Sequence, residues 1–198
     1  MSNSQQFPIE LERATSQKNI FGFWVYLMTD CVLFAILFAT FAVLQANTNG
    51  GPSGQELFSL PFVLAETLIL LTSSFVCGIG LISMQASKKR AVYTAFTVTF
   101  LLGAAFLGLE LSEFHKLAAE GNSWHRSGFL SAFFALVGTH GLHITAGMMW
   151  LASLYGQSKK QGFTEVIRRR FSMFGLFWHF LDVVWIFIFS IVYLMGVL

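Results

Sequence analysis

The run LFWHFLDVVWIF, at residues 176–187, is almost wholly apolar but contains His179 and Asp182. Residues three apart on a helix lie on one face, so these two ionisable side chains are expected to point in the same direction. Ionisable groups inside a bilayer are costly and persist where they face protein or water and have partners. The run therefore predicts a membrane-spanning helix that belongs to an assembly with polar groups in its interior.

The composition of the whole chain supports a membrane protein. The 198 residues are 55% hydrophobic and 11% charged, with a mean hydropathy of +0.66. Soluble domains carry roughly 25% charged residues, so this chain has too few to solvate an ordinary protein surface. The net charge of +2 is too small to indicate a nucleic-acid partner.

Five apolar segments each exceed the roughly 20 residues that are needed to cross the hydrocarbon core. None of them alternates like a strand, so we predict an all-α, polytopic membrane protein, a bundle of five transmembrane helices. Residues 1–19 are predicted to form a polar tail, and residues 20–198 the transmembrane domain. The approximate spans are 20–44, 61–86, 92–117, 127–155 and 171–198.

The distribution of lysine and arginine predicts the orientation of the chain. Of the 12 basic residues, all but Lys116 and Arg126 lie before the first span, between the second and third spans, or between the fourth and fifth. Basic loops remain in the cytoplasm. We therefore expect the N-terminus in the cytoplasm and the C-terminus outside, with Gly51 and Asn122 facing outward.

Eight ionisable side chains within the spans form the candidate polar network, which we expect to be structural or proton-buffering. They are Asp30, Glu66, Glu110, Glu113, His140, His143, His179 and Asp182. Helix rise places the three glutamates in a layer near the outer surface, and the histidines and aspartates nearer the middle. No catalytic, cofactor-binding or metal-binding residue is assigned.

These residues also allow two other interpretations, a purely structural role and a metal site. Glu110 and Glu113 could sit hydrated at the headgroup boundary, and His140 and His143 could be hydrogen-bonded groups within the bundle. A mixed metal site of Asp30, His140, His143 and Asp182 is also geometrically possible because the four share a depth. No Glu-x-x-His pair of the kind that holds two metals occurs on one helix.

Tryptophan positions predict how the bundle meets the interface. Trp24, Trp150 and Trp178 lie toward the expected cytoplasmic side and Trp124 at the outer boundary, as interfacial belts require. Trp185 is deeper and is expected to pack between helices.

Three motifs resemble subunit III of the heme-copper respiratory oxidases. Phe133 and Phe134, followed by GTHGLH at Gly138–His143, resemble a Phe-Phe and Gly-x-His-Gly-x-His signature. The stretch Trp178–Trp185 resembles the last-span signature of that family almost letter for letter, and Ser112–Glu113 resembles a Ser-Glu pair on its third span. The resemblance extends over roughly residues 20 to 198.

Two departures indicate a branch of this family. Longer cytochrome c oxidase members begin with two additional helices, and they usually have Glu where this chain has Asp30. Short five-helix chains with this first span resemble the quinol-oxidising branch, especially the cytochrome bo type. A cytochrome c oxidase subunit III remains the alternative because the quinol site would not lie in this subunit.

The resemblance implies a supporting, non-redox subunit of a proton-pumping terminal oxidase in the bacterial inner membrane. Its main partner would be subunit I, which carries the hemes, the copper and the proton channels; other oxidase subunits and bound phospholipid are also expected. In the family, the carboxylate matching Asp30 reacts with hydrophobic carbodiimides. We expect Asp30 to act in packing and proton buffering, and not as an obligatory proton conduit.

Two alternatives come from other functional classes. A stand-alone membrane di-metal oxidase or desaturase would use the carboxylates and histidines as ligands. A small proton-coupled transporter would use Asp30 and Asp182 as relay residues. Five helices without an internal repeat make the transporter the weaker of the two.

Overall fold

The computed structural model describes residues 3–50 and 59–197, with side chains from residue 17 onward. This part of the chain contains no β-strand and five long helices, each long and apolar enough to cross a membrane. The five are α1 (Asn3–Leu44), α2 (Leu60–Gln85), α3 (Lys89–Ala119), α4 (Gly128–Gln161) and α5 (Glu165–Ile188). The predicted all-α, five-helix architecture is confirmed, and the chain is a multi-pass membrane protein.

The helix bounds differ from the predicted spans mainly at polar ends. Helix α1 begins at Asn3, inside the segment predicted as a tail, and α5 begins at Glu165 instead of residue 171. The early start of α5 has a local cause, because the Thr164 hydroxyl caps the helix by accepting the Ile167 backbone N–H at 3.4 Å. Residues 1–2, 51–58 and 198 lie outside the described residues. Because α1 runs without a break through residue 19, the boundary between tail and transmembrane domain remains a prediction.

The last helix changes its geometry near its end. After Ile188 it continues as a π-helical segment, Phe189–Leu194, and ends in the short turn Met195–Val197. A π turn rotates the residues that follow it relative to a regular helix, and such turns often occur at functional positions. Here the π segment carries Tyr193, which is buried in the bundle.

Helices α2 to α5 form one packed body around Trp178. A Cβ atom at Gly103 of α3 would lie 2.9 Å from Trp178 Cη2, and one at Gly147 of α4 would lie 3.1 Å from Trp178 Cζ3. The two glycines therefore make room for the indole, in the way that small residues permit close packing between membrane helices. Helix α1 packs on α4 and, less extensively, on α5.

The tryptophans divide differently from the sequence expectation. Trp24 and Trp124 are 46% and 57% exposed, as interfacial residues should be, and Trp185 is buried between helices as predicted. The interfacial position predicted for Trp178 is wrong, because it is only 1% exposed and its indole N–H donates to Ser73 Oγ at 3.2 Å. The Ser73 hydroxyl on α2 accepts this hydrogen bond and so offsets the cost of burying the indole N–H.

The bundle has two distinguishable ends. At one, which we call the basic end, Arg168 of α5 donates to Ser87 Oγ in the turn between α2 and α3, which precedes Lys88 and Lys89. At the other, which we call the Trp124 end, the backbone N–H of Phe129 donates to the carbonyl of Asn47 beyond α1. The predicted clustering of basic residues at one end is therefore present in three dimensions.

Candidate functional site: buried polar groups between the helices

The carboxylate of α1 faces a histidine of α4. Asp30 is buried, and its Oδ1 lies 3.7 Å from Nε2 of His143. The carbonyl of Thr139, which can only accept, lies 2.8 Å from His143 Nδ1, so Nδ1 is the donor there. Nε2 of His143 is therefore the ring nitrogen that faces the Asp30 carboxylate. The pair joins α1 to α4 through two ionisable side chains.

His140 lies in an aromatic enclosure. Its ring stacks on Trp185 with centroids 5.3 Å apart and an interplanar angle of 30°, and Phe106 meets it edge-on at 6.0 Å. Trp185 is itself anchored, because its indole N–H donates to the hydroxyl of Thr67 at 3.0 Å. Neither ring nitrogen of His140 has a hydrogen-bond partner among the described residues. His140 therefore makes no hydrogen bond to the Asp30–His143 pair, although Phe34 contacts the rings of both histidines.

A third polar group lies on the outer surface of the bundle between α2 and α5. The hydroxyl of Ser74 and Nδ1 of His179 are 2.6 Å apart, and Asp182 is close enough to interact with both residues. These side chains line an open groove of about 370 Å³ whose other walls are apolar, including Phe75 and Ile79. The groove thus presents polar atoms on a face that would otherwise meet lipid.

The fourth group, which we call the carboxyl cluster, comprises Glu66, Glu110, Glu113 and Tyr193. The Tyr193 hydroxyl donates to Glu113 Oε2 at 3.1 Å, which links the π segment to α3. A Cβ at Gly141 of α4 would lie 3.2 Å from both oxygens of Glu110, so that carboxyl group rests against the backbone of α4. Glu110 is buried, which makes a hydrated position at the headgroup boundary wrong for this residue.

The structure thus divides the predicted site residues among four separate groups instead of one site. Asp30 pairs with His143, whereas Asp182 lies with Ser74 and His179, so the four-residue metal site considered from the sequence does not form. Among the described side chains, at residues 17–50 and 59–196, no three His, Cys, Asp or Glu converge in a way that could hold a metal ion.

Sequence reasoning missed the hydroxyl groups that complete these contacts. Thr67, Ser73 and Ser74 on α2 each receive or share a proton with a partner on α5. These contacts could have been predicted from the sequence, because buried indole N–H groups require acceptors and the three hydroxyls lie on one apolar helix. Tyr193 was harder to find, since its position depends on the π turn.

Comparisons with known proteins agree with the fold and the motifs. The family model described as cytochrome c oxidase subunit III matches residues 11–197. The chain is 55% identical to cytochrome bo(3) ubiquinol oxidase subunit 3 of Pseudomonas putida, over 93% of this chain and 89% of that protein.

Two relatives from Bacillus show that proteins with different names resemble this chain. It is 46% identical to quinol oxidase subunit 3 of Bacillus subtilis, over 96% of this chain and 93% of the relative. It is 45% identical to cytochrome c oxidase subunit 3 of Bacillus sp. strain PS3, over 98% and 95%. The chain therefore belongs to the cytochrome c oxidase subunit III family.

Proposed function

We propose that this chain is the non-redox supporting subunit of a heme-copper terminal oxidase that oxidises ubiquinol and reduces oxygen. The observation that carries the choice of donor is the 55% identity to a ubiquinol oxidase subunit 3 over nearly the whole of both chains. The hemes and the copper belong to subunit I. The polar network of this chain supports assembly and proton buffering, and we assign it no catalytic residue.

Subunit I is proposed as the main partner. The groove between α2 and α5 supports this, because it places His179 and Asp182 in a largely apolar wall on the outside of the bundle. An ionisable group on a lipid-facing surface is costly, so a neighbouring protein helix with a donor would stabilise it. The other oxidase subunits would attach to the same complex.

Bound phospholipid is proposed at a second groove, between α3 and α4. Its walls include Phe96, Phe100 and Leu151, its volume is about 300 Å³, and Tyr155 closes one side. The ammonium of Lys159 lies 4.7 Å above the Tyr155 ring. An acyl chain would fill the apolar groove while Lys159 meets the phosphate, which is the usual division at the edge of a bilayer.

The proposed location is the bacterial inner membrane, with the N-terminus in the cytoplasm. The clustering of Lys88, Lys89, Lys159 and Arg168 near one end of the bundle supports this, because basic loops are retained on the cytoplasmic side. The Trp124 end and the C-terminus would then face outward.

Single-cysteine labelling of intact cells tests the orientation. Cysteines at Lys88, Lys159 and Arg169, in a chain without its native cysteines, should be protected from an impermeant reagent. A cysteine at His125, which is exposed at the Trp124 end, should react. Asn122 is too buried to report, and Gly51, also expected outside, lies outside the described residues. Labelling at position 159 from outside would reverse the orientation.

The function is tested by purifying the chain in mild detergent through an affinity tag. A heme-containing complex with a copper-bearing subunit I in equal amount, oxidising ubiquinol but not reduced cytochrome c, is the expected result. Oxidation of cytochrome c alone would assign the alternative donor. A stable monomer without heme would contradict the supporting-subunit proposal, and metal analysis of that monomer would then test the di-metal alternative.

A further inference from the structure

The carboxyl cluster concentrates acidic groups whose individual protonation the proposed proton-buffering role leaves unassigned. Glu66 on α2 is 0% exposed and Glu110 on α3 is 2% exposed. Glu66 is near enough to Glu110 and Glu113 for their charges to interact. Two helices and the π segment thus bring three carboxyl groups into one region between the helices.

The three carboxyl groups are not equivalent in their surroundings. Glu113 is less buried, accepts the hydroxyl of Tyr193 at 3.1 Å and has Lys116 one helical turn away on the same face. Glu66 and Glu110 have no such support: all four of their oxygens lack a hydrogen-bond partner among the described residues. Burial opposes a negative charge on Glu113 as well, but of the three it alone has, among the described residues, a hydrogen-bond donor and a lysine that favour the charge.

In the described part of the chain, the elements packed around the cluster supply no second cation at Glu66 or Glu110. Helix α4 presents the backbone of Gly141 to Glu110, and its neighbour His140 is turned toward Trp185 of α5. The π segment contributes Tyr193, whose hydroxyl is already directed at Glu113. A buried carboxylate without donors or a counter-charge is strongly disfavoured, and adjacent carboxylates disfavour one another further.

We propose that the carboxyl cluster is a proton-binding site in which Glu66 and Glu110 hold their protons at neutral pH and Glu113 is the carboxylate. Neutral acids at these two positions avoid placing three negative charges in one buried region. Its protons would exchange with water at the Trp124 end, because Glu110, Glu113 and the exposed Lys116 follow one another at one-turn spacing along α3 toward that end. This inference rests on the proton-buffering role in the proposed function, but not on the electron donor or on the partner subunits.

Infrared spectroscopy of the purified complex tests the assignment. Wild-type minus Glu66→Gln and wild-type minus Glu110→Gln difference spectra should each show the loss of one carboxylic C=O band, and that band should shift in D₂O. Wild-type minus Glu113→Gln should show the loss of carboxylate bands. Glu120→Gln is the matched control, because Glu120 is exposed at the end of the same helix and should also lose only carboxylate absorbance.

Two results would overturn the proposal. The first is loss of carboxylate absorbance, without loss of a carboxylic band, in Glu66→Gln and Glu110→Gln. The second is a carboxylic band that does not shift in D₂O, which would show that the buried protons do not exchange. If a glutamine variant fails to assemble, the corresponding aspartate variant replaces it: a displaced carboxylic band supports the assignment, and an unchanged carboxylic region contradicts it.

Discussion

Helix α1 and the body formed by α2 to α5 are built in different ways. In the most apolar window of α1, 22% of the residues are buried within the chain, against 39%, 33%, 50% and 50% for α2, α3, α4 and α5. The body is closed by indoles that donate to hydroxyls on α2, whereas α1 is joined to it through the Asp30–His143 pair and a face of aromatic rings. A helix that is apolar all round but weakly buried requires lipid or another protein around it.

This difference indicates that the stability of the chain depends mainly on the body, whereas α1 depends on its surroundings in the complex. The interior of the body depends on close fit, since Trp178 is held between two glycines and a serine. The surface of α1 exposes Phe21, Val32, Ile36 and Val43. We therefore expect changes in the body to damage the chain itself, and changes on α1 to act mainly on the assembled complex.

The largest effect is expected from Gly103→Val. The added Cβ would lie 2.9 Å from Trp178 Cη2, and the rigid indole between α3 and α4 has little room to yield. Overpacking of this kind costs roughly 3 kcal/mol. The expected result is a lower yield of complex and a lower midpoint of thermal inactivation.

Gly108→Val is the matched control on the same helix, because nothing lies within 4 Å of a Cβ added there. Gly22→Val makes the corresponding test on α1, where the surroundings are equally open. Equal loss of stability in all three variants would contradict the contrast between body and α1.

A smaller loss is expected from Trp178→Phe. The change removes the donor to Ser73 and leaves a space beside Gly103 and Gly147, for a combined cost of about 2 kcal/mol. Thermal inactivation of the purified complex measures it. Trp24→Phe on α1 is the control, because Trp24 is exposed and makes no buried hydrogen bond in the described part of the chain. A larger loss of thermal stability in Trp24→Phe than in Trp178→Phe would contradict the contrast between α1 and the body.

The smallest effect is expected from Asp30→Asn. The substitution keeps the shape of the side chain and removes the acid facing His143, so assembly and most of the quinol oxidation should persist, with poorer durability during turnover. Reaction of position 30 with a hydrophobic carbodiimide, followed by mass spectrometry, should be abolished. Loss of all oxidase activity in a fully assembled, heme-replete complex would show that the carboxylate is essential.

Asp182→Asn sharpens this last result. Asp182 lies in the groove between α2 and α5, away from α1, so its replacement should leave carbodiimide labelling at Asp30 unchanged. It should instead reduce retention of subunit I during purification, if subunit I covers that groove.

Much of the fold could be predicted because hydropathy and span length report directly on the membrane environment. Five helices and the clustering of basic residues follow from the order of residues alone. The starts of helices were less accurate: α5 begins at Glu165 because of the Thr164 cap, a local signal hidden beside a run of arginines. The candidate site was predicted as a set of residues and depths, but not as contacts.

The sequence by itself determined which side chains are ionisable and to which family the motifs point, because both depend on residue type and order. It also predicted the depths of these side chains from helix rise. Only the tertiary structure decided which side chains are in contact. It set Asp30 against His143, enclosed His140 beside Trp185, and used the π turn to bring Tyr193 to Glu113. Such pairings depend on the rotation and packing of separate helices, which span length and periodicity leave open.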